Sequence, residues 1–218
     1  MDRSRSKSAW LALLVAMTVV TIAGCNVLAT ALYVVQGNNT KAEFDKLRGK
    51  RVAVVCRPVS SLQYGNFSAA KELARQVSIL LQQHVHNIHT IDQREIAEWA
   101  DENNWEHYDE IGKALNADYV VGLDLEQFNL YEDGQSMYRG KASVRIAVYD
   151  VKGGGDPVYE QPLPQVQYPP NSPVPTIDKP EQEFRRQFVD VLAQQISHYF
   201  YDHDATVDFA SDSTVLSK

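Results

Sequence analysis

The stretch "IGKALNADYVVGLDLEQF", residues 111–128, carries the most specific indication of the fold. In its first half the apolar residues have the spacing of a short helix. An apolar run of strand length follows, from Ala117 to Leu130. Ala117 and Asp118 form a small-residue turn between the two, and Gly122 lies inside the strand. A helix that leads directly into a buried strand predicts an α/β arrangement, in which helices connect and cover the strands of a sheet.

Further strands are predicted on both sides of this stretch. "RVAVVC", residues 51–56, is an apolar run that predicts the first buried strand, and "HNIHTI", residues 86–91, predicts a second, short one. "ASVRIAVYDV", residues 142–151, alternates between apolar and polar side chains, which is typical of a half-buried antiparallel strand. Asp133 and Gly134 indicate a turn between this strand and the preceding one, within a loop that we expect to be longer than a minimal hairpin.

The remaining segments predict helices with one apolar face. Ser68 is the predicted N-cap of the first helix, and two short helices follow within residues 92–116. The last helix is predicted over residues 181–201. The apolar face of the first helix is Ala70, Leu73, Ala74, Val77, Leu80 and Leu81, and that of the last is Phe184, Phe188, Val191, Leu192, Ile196 and Tyr199. The fold class is therefore α/β (α+β): a mixed sheet with an early parallel crossover, a late antiparallel hairpin and helices packed on the sheet.

This order resembles the domain shared by TolB amino-terminal domains, curli-secretion lipoproteins and the lipoproteins that activate penicillin-binding proteins. The resemblance covers about residues 50–150, and rests on "KRVAVV" (50–55), "IDQREIAEW" (91–99), residues 111–128 and "VRIAVYDVKGG" (144–154). It implies an envelope lipoprotein whose domain binds other proteins, with no catalysis and no cofactor. The long alternating insert from which curli-secretion members build a membrane pore has no counterpart in this sequence.

The amino terminus has the pattern of a secretory signal. A basic head is followed by an apolar run over residues 9–23 and by small residues before Cys25. Ile22, Ala23 and Gly24 resemble the bacterial lipobox, which implies cleavage before Cys25 and acylation of its thiol. Cysteine suits this role because its sulfur is a nucleophile, and two or three acyl chains anchor a protein stably in a membrane.

A second hypothesis for the same residues stays open, because apolar character resumes after Cys25. Ala9 to Val35 would form a helix of about 40 Å, which is long enough to span a bilayer as an uncleaved anchor. Both hypotheses place the rest of the chain in the cell envelope, facing the periplasm, since the basic head stays inside. Asn26 after the cysteine favours the outer membrane over the inner membrane in bacteria that retain lipoproteins through an aspartate there.

We predict four parts of the chain. Residues 1–24 are a signal peptide, residues 25–48 a lipid-anchored tether, residues 49–201 a single domain and residues 202–218 an acidic, disordered tail. Within the domain, residues 162–180 contain seven of the nine prolines and form an extended segment, either a partner-binding strand or a strap over the sheet edge.

The charge of the chain limits the class of partner. The formal net charge is −7, and loss of the three basic residues and one acid of the signal would leave −9. An acidic chain without a basic patch argues against nucleic acid, so the expected partners are the membrane through Cys25 and other envelope proteins, with an oligomer also open. Once Cys25 is acylated, Cys56 has no disulfide partner and is expected to be a buried, inert thiol.

Two candidate sites correspond to two function classes. Tyr64 and Phe67 in "LQYGNF" are natural contact points for a non-catalytic interaction or assembly module. His84, His86 and His89 lie close enough in sequence to suggest a zinc or copper site in a metal-binding or enzymatic envelope protein. The histidines lack a cysteine partner and an H-E-x-x-H pattern, so the favoured function is the interaction module.

Overall fold

A computed structural model of the chain describes residues 39–59, 63–132 and 134–204, without the side chains of residues 63–66. The predicted signal peptide, the lipobox and Cys25 lie outside the described residues, as does the tail beyond residue 204. Residues 41–203 form one compact unit.

The described chain alternates strands and helices through its first half and is richer in strands through its second. The strands are β1 (Asn39–Thr40), β2 (Arg51–Pro58), β3 (His89–Thr90), β4 (Tyr119–Glu132), β5 (Met137–Asp150), β6 (Pro157–Pro162), β7 (Val166–Tyr168), β8 (Val174–Pro175) and β9 (His203–Asp204). The helices are α1 (Gln63–His84), α2 (Gln93–Glu102), α3 (Tyr108–Ala114) and α4 (Glu181–Ser197).

The main sheet has the order β3-β2-β4-β5-β6. Strand β2 is parallel to both neighbours, β3 and β4, while β4 and β5 pair antiparallel. Parallel neighbours need a crossover, and α1 provides one between β2 and β3, whereas α2 and α3 connect β3 to β4. The predicted mixed α/β sheet, with an early parallel crossover and a late antiparallel hairpin, is confirmed.

The β4–β5 hairpin is longer than the sequence pattern predicted. Each strand has 14 residues, so the strands extend to Glu132 and Met137, beyond the predicted residues 117–130 and 142–151. The connection between them is longer than a two-residue hairpin, as predicted. Tyr131 and Tyr138 face each other across the two strands with ring centroids 5.3 Å apart, and Tyr138 is buried. Aromatic pairs across two strands stabilise the strand pairing. The hairpin therefore continues past the part of the sequence in which apolar and polar residues alternate.

The Pro-rich segment lies along the far edge of β5. Strand β6 covers β5 from Arg145 to Tyr149, and β7 and β8 pair with the part nearer the hairpin turn. Of the two interpretations left open by the sequence, the structure therefore agrees with a strap over the sheet edge.

Helices cover both faces of the sheet. The α1 and α4 helices pack on one face, and α2 and α3 pack on the other. The α4 helix ends at Ser197, before the predicted end at residue 201, so Tyr199 and Phe200 follow the helix. Val191 and Tyr199 are only half-buried, while Val189 and Phe200 are buried in addition to the predicted residues. Part of the predicted tether also packs with the domain, since Phe44 is buried and its N–H donates a hydrogen bond to the Tyr199 carbonyl.

Helix α1 begins earlier than predicted. It starts at Gln63, so Ser68 lies inside the helix and is not its N-cap, and Tyr64 and Phe67 lie on helical backbone, not in a loop. The Ser68 hydroxyl accepts a hydrogen bond from Arg185 Nη1 at 3.3 Å. Because the Ser68 hydroxyl is hydrogen-bonded to another helix, it does not compete for backbone N–H groups as the hydroxyl of an N-cap would. The helix therefore continues through Ser68.

The end of the hairpin is joined to α4 through Tyr131, and this contact predicts a pH dependence. The Tyr131 hydroxyl donates to Glu181 Oε2 at 2.5 Å, and this hydrogen bond, aided by desolvation, raises the pKa of Tyr131 to about 12. Because the folded pKa lies above the ordinary value of about 10, the contact stabilises the fold below that value and is lost as the pH rises through about 12. In Glu181→Gln we expect one tyrosine to titrate closer to 10, as measured by absorbance at alkaline pH. Unchanged titration in the variant would contradict this assignment.

Candidate functional site

A groove of about 590 Å³ lies at the carboxyl end of β2. Its floor is the end of β2, from Val55 to Pro58. One wall is α1 and the other is α2, and Trp105 lies at one end. Clefts at the carboxyl ends of parallel strands are frequent binding sites in α/β folds.

The groove exists because β3 is much shorter than β2. Strand β3 has only two residues, which pair with Arg51 and Val52, while β2 continues to Pro58. Beyond Val52 no strand of the described chain covers this edge of β2. The α1 helix lies over one face and α2 over the other, so an open slot remains between them.

The exposed edge of β2 carries free backbone hydrogen-bonding groups. The Val52 carbonyl accepts from Ile91 on the β3 side, while the Arg51 carbonyl accepts from Asp118 on the β4 side. Backbone groups alternate sides along a strand, so those of Val54 and Cys56 face the groove. Gln93 Nε2 donates to the Val54 carbonyl at 3.0 Å, but the N–H and carbonyl of Cys56 have no hydrogen-bond partner among the described residues.

The Cys56 side chain is inert. The thiol is half-buried beside the core, and burial, reinforced by the negative charge of Asp124, raises its pKa. A thiol with a raised pKa stays protonated near neutral pH and is a poor nucleophile. This agrees with the inert thiol predicted from "RVAVVC", so the backbone of this residue, and not its sulfur, offers polar groups to the groove.

The groove walls combine an exposed aromatic ring with several charged side chains. Phe67 is 52% exposed, and Lys71 Nζ lies 5.1 Å from the centroid of its ring. Among the lining residues, four cations face two carboxylates: Arg57, Lys71, Arg75 and Arg94 against Glu72 and Asp101. Three of these cations form ion pairs: Arg57 with Asp124, Lys71 with Asp101 and Arg94 with Asp92. The positive charge on the groove walls is therefore largely compensated.

A hydrogen-bonded cluster holds Arg57 at the floor of the groove. Arg57 Nε donates to Asp124 Oδ1 at 2.8 Å, and the Tyr108 hydroxyl donates to the same oxygen at 2.8 Å. The guanidinium lies 4.7 Å from the centroid of the Tyr108 ring, and its Nη1 donates to the Glu106 carbonyl. Burial, and then the charge of Asp124, raise the pKa of Tyr108, so its hydroxyl stays neutral and keeps donating to the carboxylate.

The predicted site residues are separated in the structure. Phe67 lines the groove, and Tyr64 lies in the first turn of α1, with its side chain outside the described part. His84 ends α1 and stacks on Tyr201 with centroids 4.5 Å apart, while His86 lies in the following turn and His89 in β3. Within the described ranges, no group of three His, Cys, Asp or Glu side chains has a geometry that holds a metal ion.

The α2 wall and the β2 edge were not identified from the sequence. Ala97 and Ala100 follow the buried Ile96, and these small residues leave the space between the helices open. The two alanines are visible in the sequence, but their spacing on α2 indicates a groove only when β3 is known to end at Thr90. None of the helices in the described ranges combines the length and apolarity needed to cross a bilayer.

Comparisons with known proteins yield matches in structure but none in sequence. No family model matches the chain, and no curated protein is similar to it in sequence. Solved structures that resemble it include a PelC dodecamer from Paraburkholderia phytofirmans (13% identity, 75% of this chain and 95% of that chain, TM-score 0.45). Others are lipoprotein GNA1162 from Neisseria meningitidis (8%, 68% and 98%, 0.43) and a minor lipoprotein from Acinetobacter baumannii (13%, 69% and 91%, 0.36).

Bacterial lipoproteins are therefore among the structures that the chain resembles, and they are the class of protein indicated by the sequence motifs. At identities of 8–13% these similarities assign no activity to this chain.

Proposed function

We propose that the protein is a membrane-anchored lipoprotein of the bacterial envelope that faces the periplasm and acts as a non-catalytic protein-interaction module. The observation that carries this proposal is the groove, which is lined by the half-exposed Phe67 ring on α1 and by Cys56 on β2, whose backbone N–H and carbonyl have no partner among the described residues. Exposed aromatic rings are enriched in protein-binding surfaces, where they supply apolar contact area at low entropic cost.

The polar groups around the groove favour binding over catalysis. The Tyr108 hydroxyl and the Asp124 carboxylate are hydrogen-bonded to each other, and Arg57 is committed to the same carboxylate. The raised pKa of Cys56 keeps the thiol neutral. Groups held in this way give a rigid, preorganised surface, which reduces the entropic cost of binding a partner.

The membrane anchor is proposed from the lipobox residues Ile22, Ala23 and Gly24 before Cys25. Intact mass of the protein extracted from membranes tests it. We expect a mass equal to residues 25–218 plus acyl chains, and an unprocessed chain in Cys25→Ala. A mass that starts at Met1 and does not change in the variant would show an uncleaved membrane anchor instead. Asn26 favours the outer membrane, which fractionation of the two membranes tests.

The interaction role is tested in cells with a photoreactive phenylalanine at position 67. Gln82 is the matched control position, since it is exposed on the same helix but does not line the groove. We expect discrete cross-linked products with other envelope proteins from position 67 and none of these from position 82. The proposal is wrong if position 67 yields no product, or if both positions yield the same ones.

A further inference from the structure

We propose that α2 is a hinged wall of the groove, which moves away from the edge of β2 as a unit while the rest of the domain stays folded. Such a movement widens the groove whatever binds there. The proposal therefore does not rest on the interaction role, which cross-linking at position 67 tests separately.

The α2 helix has little support from the core. Its one buried residue is Ile96, and Trp99 is half-buried. The α3 helix is shorter, with seven residues against ten, and yet four of its residues are buried. Helices shorter than about 12 residues are marginal in water and depend on packing for their stability. Because α2 has so few buried side chains, it is expected to open more readily than α3.

Polar contacts between α2 and the rest of the domain are weak, with one exception. Gln93 Nε2 donates a hydrogen bond to the Val54 carbonyl on the edge of β2, at 3.0 Å. Two ion pairs between exposed side chains, each with a separation of 3.9 Å, also reach α2: Arg51–Glu95 and Lys71–Asp101. Exposed ion pairs contribute little to stability. The Gln93 hydrogen bond is therefore the main polar contact that holds α2 on the sheet.

The chain is fixed on both sides of α2, with irregular backbone between each fixed point and the helix. Before the helix, Ile91 is buried and its N–H is hydrogen-bonded to β2. After the helix, the Glu106 carbonyl accepts a hydrogen bond from Arg57 Nη1 at 3.0 Å. Asp92 and residues 103–105 lie between these points and α2, outside helices and strands. Short segments of this kind can act as hinges, because they absorb changes in backbone angles.

The groove leaves room for the movement and is altered by it. The side of α2 that carries Ala97 and Ala100 lines the groove and does not pack closely on α1. When α2 moves outward, Gln93 leaves the Val54 carbonyl, and the free edge of β2 extends from Cys56 to Val54. Elements beside binding sites are commonly those with low local stability.

The test is hydrogen exchange, measured by mass spectrometry on the full-length protein in detergent micelles. We expect the hydrogen-bonded amides of α2 to have protection factors at least about tenfold lower than those of α3. Helix length alone predicts the opposite order, since α2 is the longer helix. Equal or higher protection of α2 would overturn the proposal, because α2 would then open only when the domain unfolds.

Three variants separate movement of α2 from unfolding of the whole domain. Ile196→Val, in the buried face of α4, should accelerate exchange in α4 about fivefold and leave α2 unchanged, because α4 stays folded when α2 opens. Gln93→Ala should accelerate exchange in α2 about fivefold, which is the effect of one hydrogen bond. The control Gln82→Ala removes an exposed carboxamide from α1 and should leave α2 unchanged. Equal acceleration of α2 and α4 by Ile196→Val, or equal exchange of α2 in the two glutamine variants, would contradict the hinged movement.

Discussion

Replacement of Gly122 by alanine is expected to lower the free energy of unfolding by about 1–3 kcal/mol, the usual cost of overpacking a buried site. A Cβ atom at Gly122 would lie 2.8 Å from two ring carbons of Tyr108, which is closer than any normal contact. The ring cannot withdraw freely, because its hydroxyl donates to Asp124 and the guanidinium of Arg57 lies against its face. Relief of the clash therefore disturbs the floor of the groove as well as the core.

The matched control is Gly155→Ala, which introduces the same methyl group at an exposed turn. There the nearest heavy atom would be Asp109 Oδ2 at 3.9 Å, an ordinary van der Waals distance. We expect a change within about 0.5 kcal/mol in denaturant unfolding of this variant. Equal stability of the two variants would mean that Tyr108 does not pack on Gly122 as described.

Truncation of Phe188 to alanine should have the largest effect on stability, about 3–5 kcal/mol. The side chain is fully buried, and its ring stacks on Phe128 with centroids 5.3 Å apart. It also covers Gly140, where a Cβ atom would lie 2.6 Å from the ring. Removal of the ring leaves a cavity between α4 and the β4–β5 hairpin, where the neighbouring side chains can only partly relax. Equilibrium unfolding in denaturant measures the loss.

Phe67→Ala is the control for Phe188→Ala, because it removes the same phenyl group from an exposed position. Phe67 is 52% exposed, so only about half of its surface is buried, and the free energy of unfolding should fall by about 1 kcal/mol, well below the loss at Phe188. A loss at Phe67 as large as that at Phe188 would contradict the assignment of this ring to the surface. Phe188 packs α4 against the β4–β5 hairpin, whereas Phe67 is exposed and is the ring that we propose contacts a partner.

The sequence alone determined the elements and their class. The apolar run "RVAVVC" and the alternation of residues 142–151 specify buried and half-buried strands, because side chains on a strand repeat every two residues. The face of α4 that carries Phe184 and Phe188 follows from the helical period in the same way. These are local properties, and the parallel crossover and the hairpin follow from their order along the chain.

Local patterns gave less guidance where contacts come from distant parts of the chain. The hairpin is longer than expected because Tyr131 and Tyr138 pair across it, and no short-range pattern records that pair. The helix start at Gln63 was missed because Ser68 binds Arg185, which is 117 residues away. In both places a tertiary contact outweighs the local preference of the residue.

Sequence reasoning selected Phe67 as a contact point, but only the tertiary structure decided what surrounds it. A backbone group is free or paired according to the length of the neighbouring strand, and β3 ends at Thr90 while β2 continues to Pro58. That difference opens the edge at Cys56, and the crossover brings α2 opposite α1 to enclose it. The sequence determined which elements form, whereas the register between strands that are distant in sequence decided where the groove opens.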